Sequence, residues 1–239
     1  TIEAFGELNG FTITNGNSAG GFGKGGGIYV GSNWSLSLTN LIIKENIADN
    51  GGGIYVYNSN ISINNTIVRD NNSGSHGGGI YSTASSLNID NSKIINNHSV
   101  DYGGIVIHGG RERTTEGVIL SNSSITENVA TNTGGGISAY YLDSRDFIFT
   151  NVLINNNEAP SGSAIISWSS NLVINNSTIV NNTTESAIIG SNLNLINSII
   201  WNNEVDISSG NFIPSYSNVQ YYNCLVYTSD AADEEDSVD

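Results

Sequence analysis

Methionine is absent from this 239-residue chain, cysteine occurs once and proline twice. The lone thiol, Cys224, allows no disulfide within the chain. Lysine and arginine together number 7 against 22 acidic residues, and charged side chains make up only 12%. An acidic surface repels phosphate backbones, which argues against nucleic acid as a partner. Six of the acids stand in the last ten residues, so the body is less acidic than the net charge of −15 suggests. No apolar run is long enough to cross a bilayer, and no membrane span is expected in this chain. The histidines, His76, His98 and His108, lack the spacing of a metal site, and no cofactor is expected. The glycine-rich run Gly20–Gly27 does not read as a phosphate loop, because Lys24 is misplaced and no helix follows. No export signal is visible within the sequence, and Thr1 is expected to be a processed or truncated start of a longer parent chain with neighbouring domains.

What the chain has in abundance is asparagine, serine, glycine and isoleucine, and they recur in order. Seven times an Asn is followed six residues later by another: Asn40/Asn46, Asn65/Asn71, Asn91/Asn97, Asn122/Asn128, Asn151/Asn157, Asn176/Asn182 and Asn197/Asn203. Two and four residues before each leading Asn the side chain is apolar, as in Leu36/Leu38 and Phe147/Phe149. Three residues after it stands Ile or Val. Upstream, a glycine or alanine precedes an Ile at 28, 54, 80, 105, 137, 165 and 188. Each repeat therefore carries three short strands, and a period of this size marks a solenoid.

The fold expected is all-β: a right-handed, single-stranded parallel β-helix of about seven to eight coils. Parallel strands need a crossover, and the coil itself supplies it. Each coil buries about five aliphatic side chains at roughly 1.5–3 kcal/mol apiece, against a comparable ordering entropy. No coil is stable alone. The leading Asn of each pair is expected at a corner with left-handed backbone, its amides bonded up the stack. Placing Leu8 on Leu38 and Ile13 on Ile43 puts Gly10 at that corner in an incomplete first coil. The β-helix is assigned to residues 1–222, and 223–239 read as an acidic tail, disordered or artefactual. Within it, CLVYTSDAADE (224–234) resembles a translated sequencing adapter, as at the end of an incomplete metagenomic gene.

The GGGIY openings, with strands ending in KEN, RDN or TEN before a small residue, resemble the repeats of chlamydial polymorphic outer-membrane proteins. The stretches Gly10–Gly16 and Ser215–Gln220 are similar to secreted β-helix proteins of environmental bacteria. The resemblance implies a secreted or cell-surface protein, adhesin-like, with a polysaccharide or cell-surface glycan as partner. It says little of activity, since such repeats serve adhesins, stalks and enzymes alike.

Two features carry candidate chemistry. Tyr29, Tyr55 and Tyr81 take the same outward position on successive coils, a strip suited to covering the solenoid or to binding sugar rings. The aliphatic outward residues beyond them, Val106, Ile166 and Ile189, suggest cover by a partner or adjacent domain. Two consecutive coils also carry longer loops, with His108, Arg111, Glu112 and Arg113 in one and Tyr140, Tyr141, Asp143 and Arg145 in the next. These loops should touch, as a solvated salt-bridge cluster or as a site. Resemblance to β-helix polysaccharide lyases would make Arg111, Arg113 or Arg145 the base or charge clamp, with His108 a further candidate. Tyr140 or Tyr141 would then be a sugar platform, and Glu112 with Asp143 the ligands of Ca²⁺. No lyase motif matches, and the leading expectation is a non-catalytic stalk.

Overall fold

A computed structural model describes residues 4–109, 118–140, 146–183, 186–203 and 207–219. Every strand pairing among them is parallel, and each strand lies beside its equivalent one coil away. The chain forms a parallel β-helix.

Three sheets run along its axis. The largest joins two stacks. An opening stack contains Ile28–Val30, Ile54–Tyr57, Ile80–Thr83, Ile105–His108 and Ile137–Tyr140. A middle stack runs from Ala4–Asn9 through Trp34–Thr39, Asn60–Asn64, Ser86–Asp90 and Val118–Ser121 to Asp146–Thr150. In the last coils single long strands, Ile165–Asn175, Ile188–Ile196 and Ile207–Ser215, pass through both stacks. A nine-stranded sheet follows the leading Asn corner, and a four-stranded one, Ile47–Asn50 to Val129–Thr133, follows the second Asn.

The expected interior holds. Ile28, Ile54 and Ile80 are register partners, and Ile54 and Ile80 are fully buried. Leu8 pairs with Leu38 and Ile13 with Ile43, which places Gly10 at the first corner with a φ of 80°. Period-two alternation sends Leu36/Leu38 and their equivalents inward and the residues between them outward.

The two asparagines of each pair have different tasks. The leading ones, Asn40 to Asn197, all have φ between 46° and 57° and mostly exposed side chains. Asn tolerates this left-handed turn better than other residues with a Cβ, because its short polar side chain bonds locally. The second ones, Asn46 to Asn203, are buried. Asn71 Nδ2 donates to Asn97 Oδ1 at 2.9 Å, Asn97 to Asn128 at 2.9 Å and Asn128 to Asn157 at 2.9 Å. The same oxygens accept the preceding coil's backbone N–H, and each Nδ2 also donates to a carbonyl such as Val68 O. A buried amide is tolerated only when its donors and acceptors are met, as they are here. The residue before each, such as Glu45, Asp70 or Asn96, supplies a second left-handed corner.

Candidate functional site

The outward face of the middle stack carries two columns of side chains. In the first, Ser35, Asn60 and Ser86 stand in register. It resumes with Asp146, Asn171, Asn192 and Asn211. The second, two residues further along each strand, runs Ser37, Ser62, Asn88, Ile119, Ile148, Val173, Asn194 and Ile213. Their inward neighbours are the apolar core, so alternation alone places this row in solvent.

Two open clefts lie over the columns. One, of about 450 Å³, includes Ser35, Ser37, Asn60, Ser62, Asn88 and Ile119. The other, of about 710 Å³, includes Asp146, Asn171, Val173, Asn192, Asn194, Asn211 and Ile213. Both lie on this outward face, one over the earlier coils and the other over the later ones. The larger cleft contains an amide ladder: Asn211 Nδ2 donates to Asn192 Oδ1 at 2.9 Å, Asn192 to Asn171 at 3.0 Å, and Asn171 to the Asp146 carboxylate at 3.2 Å. Among the described residues, Asp146 is the only charged group lining either cleft. Sequence reasoning passed over this ladder. Its signal was an Asn directly before the apolar-x-apolar strand, at 60, 171, 192 and 211.

Each of the two long loops joins a strand of the opening stack to one of the middle stack. His108 and Tyr140, from which they depart, are register partners, and Asp146, where the second ends, opens the first column of the larger cleft. Arg111, Glu112, Arg113, Tyr141, Asp143 and Arg145 lie outside the described residues. Tyr140 is half-buried, its ring 5.1 Å from that of Tyr102. Burial, aided by a hydrogen bond with the Tyr102 hydroxyl, pushes its phenol well above the usual range. His108 is half-buried in the same column.

The tyrosine strip lies on the neighbouring opening stack. Ring centroids of Tyr29 and Tyr55 are 5.7 Å apart and those of Tyr55 and Tyr81 5.1 Å, with the second pair within 1° of parallel. Tyr55 is 5% exposed, and the Lys24 ammonium lies 5.1 Å from its ring centre. Tyr29, at 55% exposure, is the open end of the strip. Burial raises the Tyr55 and Tyr81 phenols, with neighbouring hydroxyls adding to it. His76 extends the line, its ring stacked 5.6 Å from Tyr102. Val106 and Ile166, expected to need a partner's cover, are each 2% exposed within this chain. The turn at Gly162 lies against Ile166, so near that a Cβ there would come within 2.1 Å of it.

The glycine-rich run also has an occupant of its own. Gly20 and Gly23 donate their N–H groups to the Asp49 carboxylate, the latter at 2.7 Å. These bonds hold Asp49 below the usual carboxylate range. Among the described residues no group of three His, Cys, Asp or Glu is placed to hold a metal ion.

Comparison with protein-family models, with curated proteins and with solved structures found no match in any of the three.

Proposed function

We propose that this chain is a non-catalytic β-helix stalk of a secreted or cell-surface protein, and that it contacts carbohydrate. The observation that carries the reading is the pair of open clefts on the outward face of the middle stack, lined largely by amide and hydroxyl side chains. Amides and hydroxyls bond sugar hydroxyls readily, while the aliphatic residues beside them suit the C–H faces of pyranose rings. The resemblance of the GGGIY repeats to polymorphic outer-membrane proteins supports the surface location. The strip at Tyr29, Tyr55 and Tyr81 is a second carbohydrate-contacting surface under the same reading, chiefly through the open ring of Tyr29.

The test is binding of the purified chain to a glycan array and to intact cells. Retention on a defined set of glycans supports the stalk reading. Binding to none overturns it.

One observation favours a second reading, a polysaccharide lyase. Asp146, the first described residue after the second long loop, lines the larger cleft. Arg111, Arg113 or Arg145 would act there as base or charge clamp, with His108 as a further candidate and Ca²⁺ at Glu112 and Asp143. An ultraviolet and reducing-end screen on uronate-containing and neutral polysaccharides, with and without Ca²⁺, decides it. Activity that survives replacement of all three arginines would remove these residues from the role.

A further inference from the structure

We infer that the corner of leading asparagines is a further glycan surface, a trough in which Lys93 pairs with the carboxylate or sulfate of an acidic sugar chain. The inference rests on the carbohydrate-contacting reading above, adds a surface to it and specifies the charge of the ligand. Three observations carry it.

The first is shape. One open cleft of about 390 Å³ runs along the nine-stranded sheet from Asn40 and Ile42 to Asn91 and Lys93. A second, of about 410 Å³, runs from Asn91 and Lys93 to Asn176 and Thr178. Asn91 and Lys93 line both, so the two clefts meet at this coil. The trough spans six successive coils, about 24 Å at the spacing of parallel strands. Such a length suits an extended chain lying along the axis.

The second is an unpaired cation at the meeting point. Among the described residues, Lys24 lies over the Tyr55 ring, Lys44 pairs with Glu45 and Arg69 with Asp70. Lys93 is exposed and has neither an ion pair nor a hydrogen bond. Asp90, three residues earlier, is turned toward the next coil. Its Oδ1 accepts from the Ser121 hydroxyl at 2.7 Å and from Asn122 Nδ2 at 2.8 Å. An anionic substituent can therefore reach the Lys93 ammonium without displacing a carboxylate of the protein, and charge-assisted bonds of this kind are the stronger ones.

The third is open hydrogen-bonding capacity beside that cation. The corner amides bond along the stack, Asn65 Nδ2 to Asn40 Oδ1 at 2.6 Å and Asn151 Nδ2 to Asn122 Oδ1 at 2.9 Å. The series breaks at Asn91. Asn122 gives its N–H to Asp90 instead, so Asn91 Oδ1 accepts nothing, and the bond from Asn91 Nδ2 to Asn65 is long at 3.4 Å. Ser124, the register partner of Lys93 on one side, makes no side-chain hydrogen bond among the described residues. On the other side the partner is Ile67, followed by Ile42. An open amide and a hydroxyl can bond sugar hydroxyls, while the isoleucines meet the C–H face of a ring.

The experiment is calorimetric titration of the full chain at low salt with four ligands of equal length: uronate, sulfated and neutral oligosaccharides, and an oligoglutamate. Either acidic sugar series should bind more tightly than the neutral one, and its affinity should fall as salt rises. The tighter of the two identifies the anion. Lys93→Gln should weaken the acidic series by about 3- to 10-fold, the effect of one exposed charge-assisted hydrogen bond, and leave the neutral series unchanged. Lys93→Arg should retain most of the affinity. Asn91→Gly, which keeps the left-handed turn and removes the amide, should also weaken acidic binding.

Equal affinity for acidic and neutral sugars overturns the inference. So does acidic binding that survives Lys93→Gln but falls with Tyr29→Ala. Both outcomes leave the carbohydrate reading standing. Oligoglutamate binding as tight as that of the acidic sugars also overturns the inference, since the trough would then read charge alone. Binding to no glycan at all overturns that reading and this inference together.

Discussion

Asn91 has a φ of 46°, a backbone shape that β-branched side chains resist. Asn91→Val should therefore destabilise the chain by about 1–3 kcal/mol, measured by denaturant unfolding. Asn97, six residues on, should cost more to truncate. Its Oδ1 accepts from both the backbone N–H and the Nδ2 of Asn71, and its own Nδ2 donates to Asn128. Asn97→Ala strands several buried groups at once, at about 1–3 kcal/mol for each group left unsatisfied. The spacing of the pairs was legible in the sequence; which member is buried was not. Both are asparagine, and only the left-handed turn at the residue before Asn97 (Asn96, φ 50°) directs the second one inward. Asp49 gives a pH signature at the same scale. Its folded pKa lies below the unfolded value, so the bonds to Gly20 and Gly23 add stability above the unfolded pKa. That stability is lost as pH falls through the folded pKa. The amide resonances of Gly20 and Gly23 should titrate below the ordinary aspartate midpoint, and Asp49→Asn should abolish that titration.

At the scale of the coil, backbone stacks against backbone where glycine precedes the opening Ile. A Cβ on Gly79 would stand 2.7 Å from the Gly104 carbonyl oxygen, inside any real contact distance. Gly79→Ala should cost about 1–3 kcal/mol through this overpacking, visible as a lowered midpoint of thermal unfolding. The GGGIY motif thus marks a place where two coils touch through main chain. The strands, their inward residues and the tyrosine stack were all readable from periodicity, because one buried face repeats at every coil. The two clefts were not, since a column of outward Ser and Asn looks like ordinary solvated surface until the register aligns it. Asn171, Asn192 and Asn211 become a ladder only when strands 25, 21 and 19 residues apart are laid side by side. The same limit applied to Val106 and Ile166. Outward by alternation, they are nevertheless buried, and for Ile166 the reason is the Gly162 turn, which no strand pattern encodes.

The whole molecule is nearly one-dimensional, with each coil held by the coils on either side. The buried Asn ladder, the aliphatic core and the left-handed corners all repeat with the coil, so the coil is the unit in which the chain can be shortened. Asn65 and Asn91 are equivalent positions, as are Thr66 and Ser92, which share a backbone-to-hydroxyl bond of 3.1 Å. Removing residues 66–91 joins Asn65 to Ser92 and deletes one turn without changing the inward phase of the downstream strands. That variant should fold with a strand-rich spectrum and a particle shorter by about 4.8 Å in solution scattering. Removing 67–91 instead leaves one extra residue at the join. It displaces the next corner and turns Ile94 and its neighbours to the wrong face, since a one-residue slip inverts every side chain of a strand. That variant should melt at much lower temperature or fail to fold. Equal behaviour of the two deletions would show that the coil register does not govern stability, contrary to the ladder of paired bonds that links each turn to the next.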